Sequence, residues 1–472
     1  MRRPVISALR ALLLGVAFLP VALQAQERGR VTGSVESNSI WYVGGGIRSN
    51  NYVKLDYVRG RFGAGIQAEY YPSPLLGYDS NLKGLGLPGK YLSWTDTCWS
   101  ITAGDFYDQF GTGVALRSWE DRALGWNNSL GGGRVTFRTP NDLFSMRLLG
   151  GWRRKGLWYG ADWLTGTELA FHFGDWDLQG SAVYKRRAVG DGMQTEYAWS
   201  ALAAYAGHGF NALAEWVGVR GGNAQTLELG YAYGRFSSSL KVRRLQNMLD
   251  PMGMNYLPSL SQEQHYMLAS LNPYTTFAAG ELGGSLDLFY RLKTWIFHLS
   301  GTYIWTLPQA LENHTVLRMG YREVNLDVEK RWTRRFKTTA FVSIQEYSPS
   351  HGERNGTDIQ NVFVLDASVK VSREVTLRGQ FQYLYSQELT RDWMAASLEM
   401  VTVSGWAVHV QDMYNHGDTK EHYYNVGGSW TRAGFKVDLS YGHQRAGLVC
   451  SGGVCRWQPE YTGGMLRLSY NF

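Results

Sequence analysis

Three groups of residues in this chain have types and spacings that could do chemistry. His416 and His422 lie beside Asp418 and Glu421, a donor set that could hold a divalent metal. A polar loop accounts for the same four residues more simply, and no metal or other cofactor is expected. Cys450 and Cys455 bracket Ser451-Gly452-Gly453-Val454, a flexible tip that can close into a small disulfide ring. A metal pair there would need further ligands, and no His or Cys cluster lies nearby in sequence. Cys98 has no evident partner and reads as an inert thiol. The third group is the run from Asp105 to Asn128, which mixes acids, bases, aromatics and glycines: Asp105, Tyr107, Asp108 and Gln109, then Arg117, Glu120, Asp121 and Arg122. The sequence holds no GxSxG elbow, no HExxH and no P-loop, so these residues are expected to bind and line rather than to catalyse.

Such residues need a scaffold, and the rhythm of the chain indicates which kind. From residue 31 onward apolar residues recur mostly with period 2. In Phe435-Lys436-Val437-Asp438-Leu439-Ser440-Tyr441 one face is apolar and the other polar. Val53 to Tyr57 and Val375 to Tyr383 repeat the pattern. Segments of about 9–13 residues suit tilted membrane strands better than the shorter strands of a soluble sandwich. Tight connections (Arg59-Gly60-Arg61, Thr95-Asp96-Thr97, Pro140-Asn141-Asp142, Gly207-His208-Gly209, Ser372-Arg373-Glu374, Arg432-Ala433-Gly434) alternate with long ones at 72–90, 105–128, 248–279, 347–358 and 446–460. Short turns at one rim and long loops at the other are the habit of a transmembrane barrel.

The fold class expected is therefore all-β: a single transmembrane antiparallel β-barrel of about 24 strands, within a range of about 20–26. Strands are expected to start near Val31, Tyr52, Phe62, Tyr91 and Cys98, and so on to Tyr461. Its lipid face would carry Leu377, Phe381, Val437, Leu439, Leu466 and Leu468. Its inner face would carry Lys54, Asp56, Glu69, Arg147, Glu168, Glu228, Asp287, Lys337, Arg378, Lys436, Asp438 and Arg467, a mixed-sign wall that is solvated or cross-paired. So wide a lumen invites a plug. The stretch 105–128 is expected to fold inward and constrict it through Asp105, Tyr107, Asp108, Gln109, Arg117, Glu120, Asp121 and Arg122. The loop 248–279, with Met248, Met252, Met254 and Met267, is read as an adaptable apolar surface made by loop packing.

The ends agree with export to an outer membrane. Arg2, Arg3 and Arg10 precede the apolar run Ala11–Leu23, and Ala25 is a small residue for cleavage, so 1–25 reads as a signal peptide and 26–472 as the barrel. The formal charge of +7 falls to 7 − 3 = +4 once those arginines are removed, with no basic stripe that would suit nucleic acid. Leu466, Leu468, Tyr470 and Phe472 alternate and end on an aromatic ring, resembling the strand signal read by barrel-assembly machinery. The expected surroundings are the lipid of a Gram-negative outer membrane, with an envelope protein as a further partner to be tested.

The stretches AEYYPSPLLGYD and TAGDFYDQFGTGVALRSWEDRALGWNNSLGGGRV resemble an uncharacterised family of Bacteroidetes-type outer-membrane β-barrel proteins. The match rests on Phe106–Gly111 and Arg117–Asp121, is specific over about residues 62–135 and is only rhythmic elsewhere. The resemblance implies the barrel and its membrane and transfers no activity. The first functional expectation is a porin-like or transport barrel. The alternative is a structural or accessory barrel of a secretion or surface-assembly complex, and the third is an outer-membrane enzyme whose triad would come from separate strands.

Overall fold

The computed structural model describes residues 29–472 except 191, 251, 255, 256, 313, 355, 387, 452 and 453. The signal segment expected over 1–25 lies outside the described residues. The described residues build one 24-stranded sheet, antiparallel throughout, with three two-stranded sheets in its loops; the first strand, Arg30–Tyr42, pairs with both the second and the last. Ser34↔Asn471 to Tyr42↔Gly463 closes the ring, and Gly33 and Phe472 exchange backbone hydrogen bonds below it at 2.9 and 3.0 Å. Closure gives every strand of the ring a partner on both sides, which is what hydrocarbon favours in a backbone that crosses it.

Strands run from 8 residues (Trp99–Phe106) to 16 (Trp158–Phe173). The second strand starts at Gly46, before Tyr52, because Val43-Gly44-Gly45 is itself a tight turn. Another strand starts at Gly84, so the connection expected at 72–90 shortens to 74–83. Glycines and Pro88 hid that strand's alternation.

All six tight turns named from the sequence fall on one rim, and the long connections fall on the other. The tight-turn rim carries chains of touching rings: Trp99, Phe137, Phe144 and Phe171 in one, Trp406, Trp430, Phe435, Tyr470 and Phe472 in another. Amphipathic rings belong at a lipid–water boundary, so this rim is a girdle. Outward positions such as Phe381, Leu398 and Leu439 are more than half exposed, whereas Gln382, Leu384 and Ser440 on the opposite parity are buried. A lipid face and a lumen face are thus separated by the pleat alone.

Candidate functional site: a lumen closed by two inward loops

The inner wall is knitted by cross-strand ion pairs. Lys241 meets Glu228 at 3.3 Å, Lys337 meets Glu329 at 2.8 Å and Arg378 meets Asp366 at 2.6 Å, while Lys54 pairs with Asp56 along its own strand at 3.3 Å. His298 bridges Asp287 and Asp327 at 3.2 and 3.3 Å. Asp438 and Arg467 are register partners. All of these lie toward the tight-turn rim. Toward the other rim the wall turns to face protein.

The segment 107–129 folds into the lumen. The Asp108 carboxylate takes Arg147 and Arg134 from the wall, the latter at 3.4 Å, and Arg147 also holds Glu168 at 2.9 Å. Phe110, Val114, Ala115 and Leu116 are essentially without exposed surface and pack on Leu149, Leu164, Val183, Ala198 and Val217 of the wall. Glu215 accepts from the Thr112 backbone N–H at 3.1 Å and from its hydroxyl. Gly111 has φ +51°, and a side chain there would strike the Glu215 carboxylate, so this close approach requires glycine. Arg122 pairs with Glu36 at 2.7 Å and Glu120 at 3.3 Å and lies over the Tyr52 ring.

The eight residues expected to constrict the lumen do not all do the same thing. Asp108, Arg122 and Glu120 contact the inner wall or its neighbours; Glu120 accepts from Gln67 at 3.0 Å. The Gln109 carbonyl meets Arg147, and Arg117 donates its backbone N–H to Met254 at 2.6 Å while its guanidinium lies over Trp119. Tyr107 accepts from Asn127 at 2.7 Å, and Asp121 holds the backbone of its own turn. Asp105 departs from the group. It belongs to the strand Trp99–Phe106, and its carboxylate lies in the wall, bound to Lys90 N–H and Tyr159.

The sequence reading missed the larger obstruction. The described residues of 248–279, expected among the outer loops as an adaptable apolar surface made by loop packing, also turn inward. Asp250 forms an ion pair with Lys185 at 2.6 Å, with both side chains nearly inaccessible. Burial alone would raise the Asp250 carboxyl, but the Lys185 charge, its hydrogen bond and the N–H groups of Met254 and Met252 outweigh this and hold it below its ordinary value. Met248 and Met254 fill the same apolar cluster as Phe110, while Met252 is also buried. Further along, Arg243 grips the Pro258 carbonyl and Glu281; Gln262 and Gln264 reach Glu323; Leu268 N–H donates to Gln382 at 3.1 Å; and Gln345 donates to the Ala269 carbonyl at 3.0 Å. Tyr266, Leu268 and Leu271 pack on Phe341, Val362, Leu384 and Trp393. Arg445 finally holds the Leu271 carbonyl at 3.0 Å.

The loop therefore crosses from the strand Trp176–Val189 to the last outer loop. The two inward loops meet at Arg117 and Met254, beside a polar gap of about 280 Å³ lined by Gln109, Thr112, Arg117, Ser259, Ser261 and Glu263. A signal for the second loop was present. Val362-Phe363-Val364-Leu365 and Leu148-Leu149 are apolar on both parities, as strands covered on both faces are.

Outside the lumen, Cys450 and Cys455 form the disulfide expected of them, between two short paired strands, and Cys98 is a free thiol in a tight turn. The loop histidines are engaged separately: His422 with Asp412 at 2.7 Å, and His416 against the rings of Tyr383 and Tyr414.

A closed, apolar-sided, antiparallel barrel with long loops at one rim is a transmembrane β-barrel of the outer-membrane type. The chain belongs to the family described as "Family of unknown function (DUF6029)", whose match spans residues 5–472. No curated protein matches it in sequence. Among solved structures it is similar to one described as the P pilus usher (PapC) translocation pore, at 11% identity, covering 93% of this chain and 99% of that one, with a TM-score of 0.47. It is similar to the copper transporter OprC at 9% identity, covering 96% and 81%, TM-score 0.47. It is also similar to the siderophore receptor PirA from Pseudomonas aeruginosa at 9% identity, covering 96% and 81%, TM-score 0.46.

Proposed function

We infer that the protein is a gated transport barrel of the Gram-negative outer membrane, of Bacteroidetes type, made with a cleaved signal peptide over 1–25 and shut at rest by its own loops. The observation that carries this reading is the crossing of the lumen by 247–279, fastened at Lys185 on one side and at Gln382 and Arg445 on the other. A purely structural barrel has no need to spend buried ion pairs on its lumen. An open general porin would leave the lumen aqueous. The polar gap between the two loops offers a path, and its lining of hydroxyl, amide and oppositely charged groups suits small polar solutes.

Conductance of the full-length protein in planar bilayers tests the reading. Low resting conductance that rises when 249–277 is replaced by a short glycine linker supports it. High resting conductance, or none after the replacement, overturns it. The linker is sterically reasonable because Met248 N–H already donates to the Ala278 carbonyl at 2.8 Å.

One observation favours the accessory-barrel reading in part. Arg456 in the last outer loop donates to the Ala123 and Leu76 carbonyls at 2.9 and 3.5 Å, and Tyr78 donates to the Arg122 carbonyl at 2.8 Å. Two outer loops and the 122–123 turn of the inward segment thus form a shared platform on which an envelope protein could sit, and affinity purification from gently solubilised membranes tests for one. Leu466, Leu468, Tyr470 and Phe472 are assigned to recognition by the assembly machinery. The reading contains no catalytic step, and labelling by a serine-directed activity probe would count against it.

A further inference from the structure

One ladder of the barrel wall stops short beside the lipid face. The strands Gly84–Thr95 and Trp99–Phe106 pair only from Thr95↔Ser100 to Tyr91↔Gly104, whereas neighbouring ladders run the length of their strands. Above that point Gly84–Lys90 still pairs with the preceding strand, through a register shift at Gln67/Glu69, but has no strand on its other side. Pro88, which has no N–H to offer, sits in this edge, where proline is tolerated.

Side chains fill the gap. Asp105 accepts the Lys90 N–H at 2.8 Å and the Tyr159 hydroxyl at 2.6 Å. Gly104, at φ +110°, lets the Lys90 carbonyl approach more closely than any side chain would permit. The lipid face beside this seam is hollow. An open groove of about 730 Å³ is lined by Val31, Leu55, Ile66, Leu92 and Ala103, with Lys90 also on its lining. With both Asp105 oxygens engaged, the Lys90 ammonium reaches the Tyr159 hydroxyl at 3.5 Å. Lys90 neighbours Ile66 in register, several residues from the girdle turn at 96–98, so an ammonium group stands at hydrocarbon depth, where it is costly.

We propose that this seam is a lateral binding site for a long-chain fatty acid, with the chain in the groove and the carboxylate on Lys90. The depth of Lys90 selects this occupant. A bilayer phospholipid keeps its headgroup at the interface, whereas a single-chain carboxylate can enter the wall head first. The site does not depend on the inward loops or on conduction.

The test uses the full-length folded barrel in nanodiscs of neutral phospholipid, with palmitate carrying a diazirine on its chain as the probe. Labelling should saturate, map to peptides within 85–104, be displaced by unlabelled palmitate and resist displacement by anionic phospholipid. Ala103→Phe fills the groove and should cut labelling about tenfold or more. Lys90→Gln should weaken palmitate about tenfold while leaving the matching long-chain alcohol unchanged. Heat-modifiable mobility checks that each variant is folded. If Ala103→Phe fails that check, the Lys90→Gln contrast between acid and alcohol decides alone. Non-saturable labelling, equal displacement by phospholipid, or equal loss of acid and alcohol on Lys90→Gln would each overturn the proposal. Conductance is unaffected by any of these outcomes, so the gating reading stands or falls separately.

Discussion

The two inward loops solve the same problem by different means. The shorter, 107–129, lines the wall it grows from. Its anchors follow one continuous arc of wall outward from its root, from Arg134, Arg147 and Glu168 to Glu215, with Glu36 on the other side of the root. The longer, 247–279, leaves its root and ties itself to strands on distant sides of the ring, from Lys185 to Gln382 and Trp393. A loop held locally narrows a lumen, and a loop held across it bars the way. Several of the long loop's bonds are backbone groups caught by side chains of the wall (Gln345, Gln382, Arg243) and of the last outer loop (Arg445). Such bonds depend little on loop sequence.

Breaking the bar should have the largest effect. Replacement of 249–277 by a glycine linker is expected to convert a nearly silent channel into one of large conductance in planar bilayers. Deleting 110–126 should raise conductance less, because the long loop remains; an equal or greater rise would reverse the roles assigned to the two loops. Asp250→Asn should come next. Stranding one partner of a buried ion pair costs about 3–5 kcal/mol, so long open events should become more frequent by on the order of a hundredfold or more. Glu228→Gln, in a pair on the exposed inner wall with no loop attached, should leave gating unchanged.

The smallest effect is the response to acid, which should come in two stages. The His351 ring stacks on Phe277 at 4.5 Å, and burial holds its pKa below the ordinary 6.5 despite the charge of Glu281. A lowered folded value favours the neutral ring, so this contact is fully present above pH 6.5 and weakens as pH falls through the lowered value. Asp250, also lowered, keeps its latch until pH falls below its ordinary 3.8. Hydrogen exchange should therefore show protection near Phe277 falling away as pH drops below 6.5, while residues 252–254 remain protected until pH drops below 3.8. Simultaneous loss would mean that the loop opens as one unit.

Several features were legible in particular residues. Alternation in 435–441 and 375–383 placed Leu377, Phe381, Val437 and Leu439 outside and Arg378, Lys436 and Asp438 inside, because a strand's period of 2 makes side-chain direction a local property. The tight turns gave the topology, and the spacing of Cys450 and Cys455 gave their bond. Other features were hidden. Asp105 looked like part of the constriction because it adjoins Asp108, yet one position decides between wall and lumen when strand ends and loop begins. The seam at Lys90 was invisible because a missing ladder is a relation between two strands.

The chain's own order of residues determined that it would roll into a lipid-clad cylinder with short turns at one rim, since period, turn chemistry and apolar content act within a few residues of each other. Whether the cylinder would be open was decided only in three dimensions. Lys185 and Asp250 are 65 positions apart, as are Glu215 and Thr112 by 103 and Leu268 and Gln382 by 114. The favourable energy of such pairs exists only after closure has brought distant strands to face one another across the same space.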